Sequence, residues 1–567
     1  MRAEVRQDGE RPLPAGARAV PLAVWALTGL QLALLLAYSV LMPVYRAPDE
    51  PQNFDITMAA RDFTEFTGDH RAMGPTVLRS YPFAAFTQDG RRDPVPPEPP
   101  AARGERPSFA VLAQPPGTST TRNQQWQHPP LYPAALGAVL TVTEALYAPA
   151  YGWAFDQTVG FARVVNALLV APLPLLGFLV ARRLGGGRAA GLAAAAFPLT
   201  IPQLAHIGSA VSHDNLLVLI VGVTTLALAA VLRGDSSPRT ARVIGALGGL
   251  ALLTKGFALF LLAWIPGVYL LAAVRWRRWG FVSAGGLATT LTAALGGWWY
   301  VRNVVVHGAV QPTGVHLPSP ERGFVPDFGW WASWFADVMP LRFWGNLGWY
   351  QAPLPAWLAI LATVLVTAAA AAAVLRRRTD GAARTDLLAM SFPVVAVTGI
   401  VAYGGWGYYA ETSFALGLQG RYLYPGIAGL AVLVGAGATA LPGRAGRWAP
   451  LALLAAAAAM HSVGASAVLR NVYAAGSALS WEQAAAAVIA WSPWSPVVVV
   501  SGLVGLAALL VAAALLLGRE ARRLAAAAAI TADPATDGAP LPASPRAAGN
   551  GRAAGAAAGL PRAGAAP

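Results

Sequence analysis

Apolar runs near twenty residues long recur along the chain. Short Arg-rich turns alternate between them with longer polar and aromatic segments. About 20 apolar residues make a helix long enough to cross the roughly 30 Å hydrocarbon core of a bilayer. The runs fall at 20–42, 161–181, 190–207, 214–232, 242–255, 256–274, 280–300, 355–375, 387–404, 422–440, 449–467 and 496–517. They predict an all-α polytopic membrane protein of about 12 transmembrane helices. The first run is too long for a signal-peptide core and is followed by no small-residue cleavage site, so it reads as a retained span. Segment 131–148 is also apolar, but it is entered through Pro129-Pro130 and carries Glu144. It is expected to lie against the outer face as a juxtamembrane or re-entrant helix. As a thirteenth span it would reverse the sidedness of everything after it.

Charge supports this layout. Six turns, around Arg183, Arg239, Arg277, Arg377, Arg447 and Arg522, hold 18 Arg against only Asp235, Asp380, Asp386 and Glu520. With twelve spans all six fall on the side of the N-terminal tail (1–19, with Arg2, Arg6, Arg11 and Arg18). The positive-inside rule makes that side the cytoplasm. The other side then receives two long loops, 44–128 and 301–354, and shorter ones at 405–421 and 468–495. Short inner loops and long outer ones suit a membrane enzyme working on extracytoplasmic substrate.

Of 567 residues 56% are hydrophobic and 12% charged, against about 25% charged in soluble domains. This excludes a soluble enzyme, a disordered chain and a coiled coil. The net charge of +14 is spread over the inner turns, without the contiguous basic domain and interleaved aromatics of a nucleic-acid binder. Without cysteine there is no disulfide, no Cys-ligated zinc and no thiol catalysis. Residues 521–567, rich in Ala, Gly and Pro, are expected to form a disordered cytoplasmic tail.

The unusual polar residues gather at the outer ends of the spans. Pro48-Asp49-Glu50-Pro51 follows the first span, and two carboxylates there are placed for acid–base work at the bilayer surface; helix capping is the plainer alternative. His128 closes the first loop as a ligand, a proton carrier or an ordinary interfacial histidine. Ser212-His213-Asp214 opens a span, where Asp214 could equally be an N-cap. Lys255, the single lysine among 41 basic residues, lies at an outer turn between two short apolar stretches. Lysine at bilayer depth calls for an anionic partner or for snorkelling to the surface. Arg302 and Arg421 sit at outward span ends, against the general sidedness, and an anionic substrate would explain both. Aromatics from Trp330 to Tyr350, with Trp344 and Trp349, and then Tyr422, offer an interfacial belt, a sugar-stacking surface or a lipid groove.

In this order, these motifs resemble a bacterial branch of the GT-C glycosyltransferase superfamily, related to protein O-mannosyltransferases and aminoarabinose transferases. The resemblance covers roughly 20–520. It rests on Pro48-Asp49-Glu50, His128-Pro129-Pro130-Leu131-Tyr132, Ser212-His213-Asp214, Lys255-Gly256, Arg302-Asn303, Phe343-Trp344-Gly345 with Gly348-Trp349, and Gln419-Gly420-Arg421-Tyr422. Relatives often carry His where this chain has Asn53, and a basic residue where it has Asn346.

The resemblance implies sugar transfer from a polyprenyl-phosphate donor to an envelope acceptor (glycan, lipid or protein) outside the bacterial plasma membrane, with both termini cytoplasmic. It makes Asp49 the base, with Glu50 as neighbour or substitute. Lys255, Arg302 and Arg421, with His128, His213 and Asp214, would line the lipid-phosphate and substrate site. Trp344, Trp349 and Tyr422 would touch sugar or lipid. No cofactor is certain; a divalent metal could assist, though no ligand cluster stands out. A transporter or flippase of lipid-linked saccharide is the alternative, and a non-catalytic assembly protein a third.

Overall fold

A computed structural model describes residues 20–61, 72–115, 117–147, 152–312, 318–375, 383–440, 445–473 and 480–531. The N-terminal tail, Phe63, Phe66, Arg376–Arg378, Asp380, Arg444 and residues 532–567 lie outside the described residues. One compact unit ends at Leu524. Of the second, Ala525–Pro567, the described part is helical.

Each of the twelve apolar runs falls on helix. Among the described residues nine helices are long and apolar enough to span: α1 (Leu22–Leu41), α4 (Phe155–Arg183), α7 (His213–Leu232), α9 (Gly256–Trp276), α13 (Ala356–Leu375), α14 (Arg384–Thr412), α15 (Gly420–Thr439), α16 (Ala445–Tyr473) and α18. The last runs Pro496–Thr531, past the tail boundary expected at 521. A tenth is the pair α5 (Arg188–Thr200) and α6 (Pro202–Gly208), bent by 70°. Pro202 opens the second half, and a proline cannot donate back across the break. The remaining two runs form shorter helices, α8 (Pro238–Leu252) and α10 (Gly280–Gly296). These two pack tightly through glycine: a Cβ on Gly249 would come within 2.5 Å of Leu295 Cβ, and one on Gly245 within 2.6 Å of Leu291 Cβ. Small residues let helix backbones approach where lipid supplies no hydrophobic drive. Helix α11 (Trp298–His307) follows α10 after Gly297.

Segment 131–148 forms α3 (Leu131–Tyr147), whose 17 residues reach about 25 Å. It lies along α2 (Glu50–Arg61), with Gly137 against the backbone of Thr57 and Arg61. An Arg61–Glu144 ion pair at 3.0 Å closes the far end. Helix α2 buries Gln52, Asn53, Asp55 and Thr57, too polar a set for the bilayer core. Asp55 pins the returning first loop, accepting from Gly74 N at 2.7 Å and Asn123 Nδ2 at 2.7 Å.

The second long loop contains α12 (Phe328–Trp344). A hairpin follows, β1 (Asn346–Leu347) against β2 (Ala352–Pro353), with Asn346 opposite Pro353. Helix α17 (Trp481–Trp491) ends against the first loop, where Arg106 donates to Ala490 O at 2.6 Å.

Polar side chains segregate to the two ends. Helix α7 begins at His213-Asp214 and ends beside Arg233; α9 follows Lys255 and contains Arg275 in its last turn. These ends are about 30 Å apart, since a helix rises 1.5 Å per residue. At the arginine end the turns join one another: Arg275 meets the fully buried Asp386 at 2.5 Å, Arg233 approaches it at 3.9 Å, and Arg188 meets Glu520 at 2.7 Å.

Candidate active site

The opposite end gathers four charged groups from four distant segments. Asp49 precedes α2 and holds φ +63°, a left-handed conformation that Asp tolerates better than most residues. Its carbonyl accepts from Asn53 N and from Asn53 Nδ2, both at 2.9 Å. The side chain is thereby turned off the helix. It pairs with the guanidinium of Arg421 and accepts from Gln124 Nε2 at 3.3 Å.

Arg421 lies in the first turn of α15, in the segment 420–426. Its Nη1 donates to Pro48 O at 2.9 Å, and its Nε faces Asp214 Oδ2 at 3.4 Å. Asp214 in turn meets Lys255 Nζ at 2.5 Å. The result is an alternating chain, Asp49–Arg421–Asp214–Lys255, balanced in charge. The Asp214, Lys255 and Arg421 side chains are 3–5% exposed, whereas Asp49 is 18% exposed. Only the first link is open to a reactant.

This placement sorts the sequence alternatives. Lys255 does not snorkel: its ammonium lies 4.5 Å from the Tyr422 ring centroid and 5.0 Å from that of Phe257. Asp214 does not cap α7; Ser212 does, accepting from Asp214 N. His213 Nδ1 meets Asn53 Oδ1 at 2.8 Å. Because Asn53 Nδ2 already donates to Asp49 O, the Asn53 oxygen accepts here and His213 carries its proton on Nδ1. Its Nε2 is then a bare acceptor, buried and without a hydrogen-bond partner among the described residues. His128 lies against it, ring centroids 4.3 Å apart. Burial, and secondarily the charge of Lys255, push the His128 pKa down to about 3. Asn53, Gln125, His128, Tyr132 and His213 line one small recess.

Glu50 lies elsewhere. Fully buried, it takes a forked ion pair from Arg163 at 2.6 and 2.7 Å and accepts from Tyr45 N at 2.9 Å and Val211 N at 3.2 Å. All four interactions go to groups of the scaffold. Arg163 sits inside an expected span and was not singled out; an arginine inside an apolar run is costly enough to announce a buried acid.

Arg302 does not join the four-group chain. It lies over Trp299 at 5.2 Å and beside His307 Nε2 at 3.5 Å. Trp344 and Trp349 are buried, their indole nitrogens donating to Thr363 Oγ1 at 2.8 Å and Tyr45 O at 2.9 Å. Tyr422 is in the cluster, its ring also 5.6 Å from the Arg421 guanidinium. No group of three or more His, Asp or Glu spaced for a metal ion occurs among the described residues. Sequence reasoning also missed Gln124, and Asn166, which accepts from Tyr132 Oη, Ser212 N and Asn215 Nδ2 at 3.0 to 3.3 Å and so fixes the turn before Asp214.

Residues 32–430 match the family described as "Predicted membrane protein (DUF2142)". The chain belongs to this family. No curated protein matches it in sequence. Among solved structures, the DUF2142 chain is similar to ArnT from Cupriavidus metallidurans in the apo state, at 17% identity and TM-score 0.45 over 87% of this chain and 72% of that one. It is similar also to the same enzyme bound to undecaprenyl phosphate, at 16% identity and TM-score 0.41 over 89% and 79%. The apo oligosaccharyltransferase of Archaeoglobus fulgidus matches at 12% identity and TM-score 0.37, over 88% of this chain and 56% of that enzyme's length.

Proposed function

We propose that this DUF2142 protein is a GT-C glycosyltransferase of the bacterial plasma membrane. It moves a sugar from a polyprenyl-phosphate donor to an envelope acceptor on the extracytoplasmic side. The observation that carries this reading is the chain Asp49–Arg421–Asp214–Lys255: two buried cations behind one partly open carboxylate, at the end of the bundle away from the arginine turns.

Asp49 takes the proton of the acceptor hydroxyl as its oxygen attacks the anomeric carbon. The bond from that carbon to the phosphate oxygen breaks, and the departing phosphate gains negative charge. Arg421 and Lys255 stabilise that charge, in a buried setting where fixed cations act strongly. In this reading an incoming phosphate draws Arg421 from Asp49, so donor binding and release of the base are one event. His128 and His213 remain neutral, and His213 Nε2 accepts from a substrate hydroxyl. Glu50 is a brace: tied to Arg163, Tyr45 and Val211, it fixes the turn that aims Asp49. Arg302 steers or positions lipid phosphate from the rim. The arginine end faces the cytoplasm, as the positive-inside rule requires.

Purified protein in detergent, offered a panel of polyprenyl-phosphate sugars and candidate acceptors, should release polyprenyl phosphate from at least one. Specific binding of lipid-linked saccharide with no release under any acceptor, and its passage across vesicles containing the protein, would instead make it a flippase.

A further inference from the structure

A second set of polar groups, beside the charged chain, has no role in the chemistry above. The hairpin Asn346–Pro353 is anchored to the first loop by Trp349, whose indole donates to Tyr45 O four residues before Asp49, at 2.9 Å. On the hairpin and at Gln419, Asn346 Oδ1, Tyr350 Oη, both amide atoms of Gln351, and Gln419 Oε1 are buried and have no hydrogen-bond partner among the described residues. Asn346 is only 8% exposed. Leaving such groups unmade is costly, about 1–3 kcal/mol each, so a native fold keeps them where something pairs with them. Tyr350 also holds φ +71°, a conformation that bulky residues avoid. Its ring rests 4.4 Å from the Arg342 guanidinium, and Arg342 donates to Leu418 O, next to Gln419. The charged groups acting on Tyr350 are Arg421, Arg342, Asp49 and Arg92.

We propose that these groups form the sugar subsite and that the sugar it takes is a neutral polyol. The proposal rests on the transferase reading and adds the substrate class. Three amide oxygens, from Asn346, Gln351 and Gln419, ask for hydroxyl donors, which a polyol supplies. Three arginines against a single Asp49 oppose an ammonium. A neutral sugar satisfies both conditions, with the Gln351 amide N–H and Tyr350 Oη donating in return. Its position beside Asp49 and Arg421 puts it next to the phosphate site, where the anomeric carbon must lie. A site built to hydrogen-bond a substrate discriminates strongly, because the wrong ligand leaves its polar groups unpaired.

The test compares binding of four lipids to purified wild-type protein in detergent: bare polyprenyl phosphate, polyprenyl-phosphate mannose, polyprenyl-phosphate arabinose, and a polyprenyl-phosphate amino sugar. At least one of the two neutral donors should bind tenfold or more tightly than bare polyprenyl phosphate, and the amino sugar should gain less than threefold. Tyr350→Phe, which preserves the ring, and Gln351→Ala should each erase most of that gain and leave binding of bare polyprenyl phosphate unchanged. An amino-sugar gain equal to the neutral one, or variants that weaken sugar-bearing and bare lipids alike, overturns the subsite. Tight binding of bare polyprenyl phosphate with no gain from a neutral sugar overturns the subsite alone. Failure of wild type to bind any of the four removes the transferase reading as well.

Discussion

Asp49 and Arg421 form an ion pair across 372 residues of chain, joining the turn after the first span to the first turn of α15. On the proposed mechanism the pair makes the carboxylate both the base and the counter-ion of the group that would hold phosphate.

Asp49→Asn therefore has two opposite effects. Turnover should fall by about 100-fold or more, the usual scale for a general base. Binding of polyprenyl phosphate should tighten, because Arg421 loses a competing anion. Initial rates and lipid titrations on matched preparations read both; turnover within a few-fold of wild type would take Asp49 out of the mechanism.

Breaking the Asp214–Lys255 pair should cost stability as well as donor use. Removing one partner of a buried ion pair leaves an uncompensated charge, worth about 3–5 kcal/mol. Lys255→Ala and Asp214→Asn should each lower the unfolding temperature in detergent. Lys255→Met combined with Asp214→Asn should restore much of it without restoring donor binding. Lys255→Arg should be only partly tolerated, since the planar fork presents its donors differently from a compact ammonium.

Glu50→Gln should behave as a scaffold lesion. It strands Arg163, which is 2% exposed, so folded yield and thermal stability should drop together. In whatever folded fraction remains, the pH–rate profile should keep its wild-type shape. A profile whose acidic limb disappears with Glu50→Gln would make Glu50 the base.

Acidification gives a signed stability prediction for His128. Its native pKa, near 3, lies below the unfolded value of about 6.5. Between those values the unfolded chain binds the proton that the native chain refuses. Stability from this group is therefore intact above about pH 6.5 and falls as pH drops toward 3, by up to about 1.4 kcal/mol per unit. His128→Asn should flatten the fall in unfolding temperature across that window. An unchanged slope would mean that His128 is protonated in the folded protein.

The absence of cysteine makes sidedness directly measurable. A single Cys at Asp89, Pro318 or Glu482 should react with an impermeant thiol reagent added outside cells, while Cys at Arg183 or Gly446 should not. The reverse pattern would place the four-group chain on the cytoplasmic side.

The helices were readable because bilayer thickness imposes one length on every span and arginine marks one side. Asp49, Asp214, Lys255 and Arg421 were readable because charge at the edge of an apolar run is expensive and so needs a reason. Their pairing was not. Which acid meets which base depends on how helices far apart in sequence come together, and no spacing encodes it. Glu50 and Asp49 look equivalent as adjacent letters; the left-handed turn at Asp49 and the buried Arg163 divide them. Arg302 shows the converse. It shares the sequence signal of Arg421, yet α11 carries it to Trp299 and His307. The Gln351 amide of the hairpin gave no signal, since a Gln in an outer loop is ordinary until its burial is known.

The balanced charge of the Asp49–Arg421–Asp214–Lys255 chain also bears on the end of the catalytic cycle. A polyprenyl-phosphate sugar is a diester with one negative charge. The polyprenyl phosphate left behind is a monoester, carrying nearly two once its second ionisation near pH 6 has occurred. On the proposed reading the same two cations would hold the spent lipid more firmly than the fresh one. In this protein departure of the spent carrier, rather than bond cleavage, would set the turnover rate, and accumulated polyprenyl phosphate would act as a brake on the enzyme, one that loosens as the medium falls below pH 6.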